Sequence, residues 1–227
     1  MRYYLQNPEI ESTINQIRKK IRLSMNGVVS DKMKKSGIVY KQNFGVDIPR
    51  LKEIALVYEK NSDLAQRLWT LEIRETMILA TLLQPIDNFT TEMADEWLEN
   101  INQNEMVEQC CMNLFSKLPE AVDLCLRWSQ SDSLWSRVTA FTLGARIWKQ
   151  FEGENREAII NEAINHSDTE EFLQYKSVAL LLCRIARQNK EAADDIRTKI
   201  SYMEKTGKMS HKFIFNEVME EISFLNF

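Results

Sequence analysis

Apolar residues recur along this chain at three- and four-residue spacing, while β-branched alternation at period two is nearly absent. Asn43-Phe44-Gly45-Val46-Asp47-Ile48-Pro49 reads as a turn that opens a helix. Gly45 tolerates positive φ, and Pro49 suits a first helical turn, where its missing N–H would have gone unpaired. Arg50-Leu51-Lys52-Glu53-Ile54-Ala55 follows; after a polar break at Asn61-Ser62-Asp63, Leu64, Leu68, Leu71, Ile78 and Leu82 fall on one face of a second helix. Two helices back to back make a repeat unit. Later second helices are predicted over 104–117, 133–149, 170–188 and 211–225, at intervals in the thirties. Pro49, Pro85 and Pro119 lie 36 and 34 residues apart, and Asp87, Pro119-Glu120 and Asn165-His166-Ser167-Asp168 mark breaks between helices. A single pair is too small to bury its own apolar face, so stacking on neighbours must supply the core. Residues 1–42 read as a helical cap with Ile10, Ile14, Ile17 and Ile21 on one stripe, and 43–227 as stacked helix pairs of the same domain.

Composition narrows the class to all-α, and with a repeat interval near that of HEAT units, 1–227 is expected to form one HEAT-like helical-repeat solenoid domain. With 44% apolar residues the chain can bury a sizeable core, and six Gly and four Pro are too few for a turn-rich β protein. No apolar run approaches the roughly 20 residues that a membrane span needs. Met1-Arg2-Tyr3-Tyr4-Leu5 has neither the apolar core nor the cleavage site of a signal peptide, so a cytoplasmic protein is expected. Cys110-Cys111, Cys125 and Cys183 sit among apolar residues at no metal-ligand spacing and read as small core residues.

Charge is unevenly placed under a net value of −4: residues 1–60 hold twelve Lys and Arg against six acids, and residues 86–125 one Lys against nine acids. A basic surface that includes Lys32, Lys34, Lys35, Lys41, Arg50 and Lys52 suits a nucleic-acid backbone, and equally describes a solvated helical face. The acidic middle fits poorly against DNA unless it faces away from it.

The segment Gly45-Val46-x-x-Pro49-x-Leu51-x-x-Ile54-Ala55, followed by Leu68-Trp69 and the Arg74-Glu75 helix, resembles the HEAT-repeat alkylpurine DNA glycosylases, the AlkD-like DNA alkylation repair enzymes. The resemblance extends, more faintly, over nearly the whole chain. It implies a stack of helix pairs whose concave face holds damaged DNA, and hydrolysis of the N-glycosidic bond of cationic alkylated purines. A carboxylate there stabilises charge on the sugar or places the water, and aromatic rings pack on the deoxyribose. A cationic base is already a good leaving group, so a well-placed negative charge and shape suffice.

Residue by residue, the family's Trp-Asp-x-Val-Asp corresponds to Asn104-Glu105-Met106-Val107-Glu108, which places Asn104 at the aromatic position and Glu108 at the catalytic carboxylate. Glu reaches one methylene further than Asp and adds a rotor. The family's aromatic–basic helix corresponds to Trp135-Ser136-Arg137-Val138, with Val138 at the second arginine. Trp135 reads most simply as a core anchor, and Arg137 as either a phosphate contact or an ion-pair partner for the preceding acidic repeat. Ser36, after Lys35, stands where the family has a tyrosine, and Leu180 where it has a tryptophan; Lys176 matches a basic position. Trp97, Trp128 and Trp148 occupy apolar helical positions and are predicted to be core.

His166 in a predicted turn and His211 at the start of the last helix have no ligand at zinc spacing, and no phosphate loop, nucleophile elbow or dinucleotide fingerprint occurs, so no metal or cofactor is expected. Two functions remain. One is a DNA-binding protein of alkylation repair, any hydrolysis resting on Glu108, with Arg137 and Lys176 on phosphates. The other is a non-catalytic scaffold for a protein or another nucleic acid.

Overall fold

The computed structural model describes residues 6–225. The first five residues, part of the predicted cap and the basis for reading the N-terminus, lie outside them. Thirteen α-helices are present among the described residues, with an isolated bridge between Gln42 and Ile73 as the only β pairing. No helix among them is long and apolar enough to cross a membrane. The chain forms two compact units, 1–114 and 115–227.

In the first unit, α1 (Pro8–Leu23), α2 (Gly27–Lys35), α3 (Ile48–Ala55), α4 (Ser62–Thr70), α5 (Arg74–Leu83), α6 (Thr91–Glu99) and α7 (Asn104–Asn113) follow in order. Ile14, Ile17 and Ile21 bury the inner face of α1, while Ile10 is only half-buried. Side chains start these helices: Asn7, Asn26, Asp47, Asn61 and Thr90 each accept the backbone N–H of the third residue of the helix they precede. Such a cap is worth about 1 kcal/mol.

The second helix predicted through Leu64 and Leu82 is two helices. Glu72 takes the left-handed conformation at φ 56°, which ends α4 and lets Ile73 cap α5. Periodicity missed this because the apolar stripe runs on through the break. Behind it, Trp69 and Trp97 stack with ring centroids 4.1 Å apart and planes 4° apart, and the Trp97 indole donates to Gln66 at 3.0 Å.

The second unit holds α8 (Ala121–Ser129), α9 (Leu134–Arg146), α10 (Gly153–Asn165), α11 (Phe172–Ala186), α12 (Lys190–Ile200) and α13 (Met209–Phe224). Here α9 packs on α11 and α11 on α13, so successive second helices lie side by side. Gly144 permits that approach: a Cβ there would sit 2.9 Å from the Leu181 side chain and 3.2 Å from the Cys125 sulfur. Trp128 is core as predicted. Trp148 is not; it lies in a short 3₁₀ turn after α9, half-buried with Lys149 over its ring, while Ile147 and Phe151 on either side of it are buried.

Candidate nucleic-acid interface

The turn singled out in the sequence is built around one buried ion network. Glu75, fully buried on α5, accepts the backbone N–H of Phe44 (3.1 Å) and of Val46 (3.2 Å). Arg74 donates to the Val46 carbonyl at 2.7 Å, to Glu75 at 3.0 Å, and through two nitrogens to Glu105 on α7 at 2.7 and 2.6 Å. The Tyr40 hydroxyl donates to the same Glu105 at 2.9 Å. Burial works against the Arg74 charge, and the Glu105 and Glu75 carboxylates outweigh it, so its pKa stays above the ordinary arginine value. Burial and then Glu105 push the Tyr40 phenol up. Gly45 sits at φ 70° with its α-carbon against α2; a Cβ would lie 2.1 Å from the Asn26 carbonyl.

One of the two carboxylates in the Asn104–Glu108 segment is therefore committed to Arg74. The other, Glu108, is exposed on α7, and its oxygen accepts from the Asn104 amide at 3.0 Å. Those two predicted site residues do come together. Nothing in the first unit buries Glu108, however, so water screens the charge that oxocarbenium stabilisation would need in a preorganised, water-poor site. Lys35 and Ser36 end α2 on an exposed surface beside Lys32 and Lys34.

In the second unit, Arg137 is half-buried near the start of α9. Its guanidinium donates to the Gln174 side-chain oxygen on α11 at 3.0 Å and to the Ser131 carbonyl at 2.8 Å. Both acceptors are neutral, and among the described residues Arg137 has no ion-pair partner, so the expected alternative of a pair with the acidic repeat is not what the structure contains. Trp135 is half-buried rather than a core anchor, because position 135 falls in the first turn of α9, before the fully buried run from Val138 to Ala145.

Lys176 leaves α11 about 200° around the helix from Gln174, so the structure does not bring Lys176 and Arg137 onto one side of that helix. Lys176 shares its outer face with Phe172, Leu180, Arg184 and Arg187. Its ammonium lies 5.8 Å from the Phe172 ring centre. Arg187 is paired with Glu221 on α13. Lys176 and Arg184 form no direct ion pair among the described residues, although, after Arg187, the Arg184 charge helps hold the Glu221 carboxyl below its ordinary range. Beside them lies a groove of about 220 Å³ whose walls include Leu180, Cys183, Phe213 and Glu217. Burial pushes the Cys183 thiol up to about 12, so it remains a thiol at neutral pH. Phe172 and Arg184 were not singled out from the sequence. Their spacing of four and eight residues from Lys176 was the available signal.

All four cysteines are free. No cluster of three metal-ligating side chains occurs among the described residues. His211 is buried between Ser167 (3.1 Å) and Thr206 (2.9 Å), and burial lowers its pKa.

Helix pairs with adjoining second helices, and cations of α11 that form no direct ion pair among the described residues, define a helical-repeat protein with a candidate phosphate-binding face. The family model described as DNA alkylation repair enzyme matches residues 5–212, and the chain belongs to that family. A solved structure described as a new family of proteins related to the HEAT-like repeat DNA glycosylases, with affinity for branched DNA structures, is similar at a TM-score of 0.74 and 12% identity. That match covers 91% of this chain and 94% of that one. It shows the HEAT-like fold. A designed armadillo repeat protein is similar at a TM-score of 0.38 and 13% identity, over 77% of this chain and 92% of that one. No curated protein matches the chain.

Proposed function

We propose that this chain is a DNA-binding member of the alkylation-repair family which holds phosphates through its second unit and has no appreciable alkylpurine glycosylase activity. The carrying observation is the outer face of α11, where Lys176 and Arg184 form no direct ion pair among the described residues and border one groove. Phosphate oxygens are the partners such cations suit, and Arg137, tied only to neutral acceptors, adds charge on the neighbouring helix. Lys35 and Ser36 supply an accessory contact in the first unit. Residues 1–227 act as one repeat domain in this reading, in the cytoplasm. The affinity for branched DNA described for the similar structure is extended to this chain.

Against hydrolysis stand the exposure of Glu108 and the amide of Asn104 at the position where the family carries an aromatic ring. The test combines two assays on the full chain. Methylated duplex DNA should release neither N3-methyladenine nor N7-methylguanine above a Glu108→Gln control. Fluorescence anisotropy should show salt-dependent DNA binding whose slope of log affinity against log salt falls by about one on Lys176→Ala or Arg137→Ala. Release by the wild type that is lost in Glu108→Gln would overturn the first half, and salt-independent or absent binding the second.

A protein partner is the second reading, and one feature favours it. A groove of about 440 Å³ lined by Ala55, Leu56, Tyr58, Leu82 and Leu83 lies between Lys52 and Lys60, with Leu56 87% exposed beside it. An acidic segment with a large apolar side chain fits that chemistry.

A further inference from the structure

We infer that Phe172 is a stacking platform for a base left unpaired at a DNA branch point. The inference rests on the proposed DNA binding and adds the element that separates branched DNA from plain duplex. Phe172 is the first residue of α11 and is 50% exposed. Exposed aromatic rings are usually loose, but this one is braced. The Tyr175 ring meets it at 5.3 Å and 89°, the Phe213 ring of α13 at 6.1 Å and 73°, and those two rings pack on each other at 5.2 Å. Tyr175 is buried, so the cluster is anchored in the second unit and braces the half-exposed Phe172 ring, over which the Lys176 ammonium lies. Lys176 stands one turn along, close to the ring, and Arg184 lies further down the same helix.

A braced ring beside cations that form no direct ion pair among the described residues has the composition of a single-strand platform: the cations follow the backbone and the ring takes the face of a base. Continuous duplex offers no such face, since every base is stacked between neighbours. A branch point, where stacking is interrupted, does. The ring therefore contributes to binding only where the duplex is interrupted, and the cations contribute everywhere. That division also bears on Leu180, which stands where the family resemblance has a tryptophan. It is 41% exposed on this face and presents no ring, so the aromatic surface of α11 lies two turns nearer its N-terminus.

The experiment uses the full-length chain and two DNA probes of matched sequence, a three-way junction and a linear duplex, with anisotropy read at several salt concentrations. A 2-aminopurine placed at the branch point reports stacking by quenching. Phe172→Ala should lower the junction-to-duplex affinity ratio by at least about fivefold, the lower end of what one base–aromatic stack contributes, and abolish the added quenching without changing the salt slope. Phe172→Trp should keep both. Lys176→Ala should lower junction and duplex affinity together and leave the ratio alone. Circular dichroism and the melting temperature verify that each variant is folded. An unchanged ratio and unchanged quenching in Phe172→Ala, with duplex binding intact, would overturn this inference and leave the proposed function standing. Loss of salt-dependent binding to both probes in the wild type would overturn both.

Discussion

Arg74 in the first unit and Arg184 in the second are the same chemical group in opposite employment. Every nitrogen of Arg74 has an acceptor, two carboxylates surround it, and its side chain is 5% exposed. Arg184 forms no direct ion pair among the described residues, acts on Glu221 only through its field, and lies on a helix face with Lys176. The first arrangement fixes the relation of the Asn43–Asp47 turn to α5 and α7. The second leaves charge available to a ligand. The residues with the loudest sequence signal, Gly45, Arg74 and Glu75, thus build the fold, whereas those placed to bind are distributed without a motif. Family membership read from such a signal says little about whether the family's chemistry is retained.

The comparison is broken most severely at Arg74. Arg74→Ala leaves Glu75 buried with no cation and removes the tie to α7, and should cost about 3–5 kcal/mol in urea unfolding. Gly45→Ala comes next. It forces a left-handed conformation on a residue with a side chain, roughly 1 kcal/mol, and drives a Cβ to 2.1 Å from the Asn26 carbonyl, so the measured loss should exceed that conformational cost. A melting temperature within error of wild type would show that the turn is not held against α2. Arg137→Ala lies between the two regions in character. It strands the buried Gln174 oxygen, which costs about 1–3 kcal/mol, and it also weakens DNA binding. By contrast, the double change Lys176→Ala with Arg184→Ala should move stability by no more than about 0.5 kcal/mol while lowering the salt slope by about two. Should the double variant unfold as easily as Arg74→Ala, the outer face of α11 is structural and the contrast fails.

Much of the fold was legible because helix pairs carry a period in sequence. Pro49, the Asn61 break and the spacing of second helices locate α3, α4, α7, α9, α11 and α13 within a few residues. Glu72 was illegible: a left-handed glutamate has no local signature, and the stripe on either side of it stays in phase. Trp135 and Trp148 were read as core because indole rings usually are, yet each lies at the end of a helix, where its apolar face meets solvent. In the candidate site, the Glu108 position could be aligned but its exposure could not, since exposure depends on which elements cover α7. The Arg74–Glu105 pair spans 31 residues, and only tertiary structure shows that Glu105 is committed.

The smallest effect is expected where the family resemblance places the chemistry. Glu108→Gln is nearly isosteric and keeps an oxygen that can accept from the Asn104 amide, now found at 3.0 Å. The carboxylate is exposed on α7 and pairs with no cation among the described residues, so removing its charge should change unfolding free energy by less than about 0.5 kcal/mol. The sign is informative as well. If Glu108 only caps Asn104 in water, DNA affinity should rise slightly, because one negative charge has left the protein surface and phosphates are repelled less. If Glu108 instead sits at a bound sugar as a stabilising charge, DNA carrying a cationic abasic-site mimic should bind more weakly to the variant than to the wild type, while undamaged DNA should not. Equal affinities for the mimic and undamaged DNA in both proteins would place Glu108 outside the DNA site altogether, leaving Arg74's neighbour Glu105 and Glu108 as two carboxylates of one helix with no catalytic share between them.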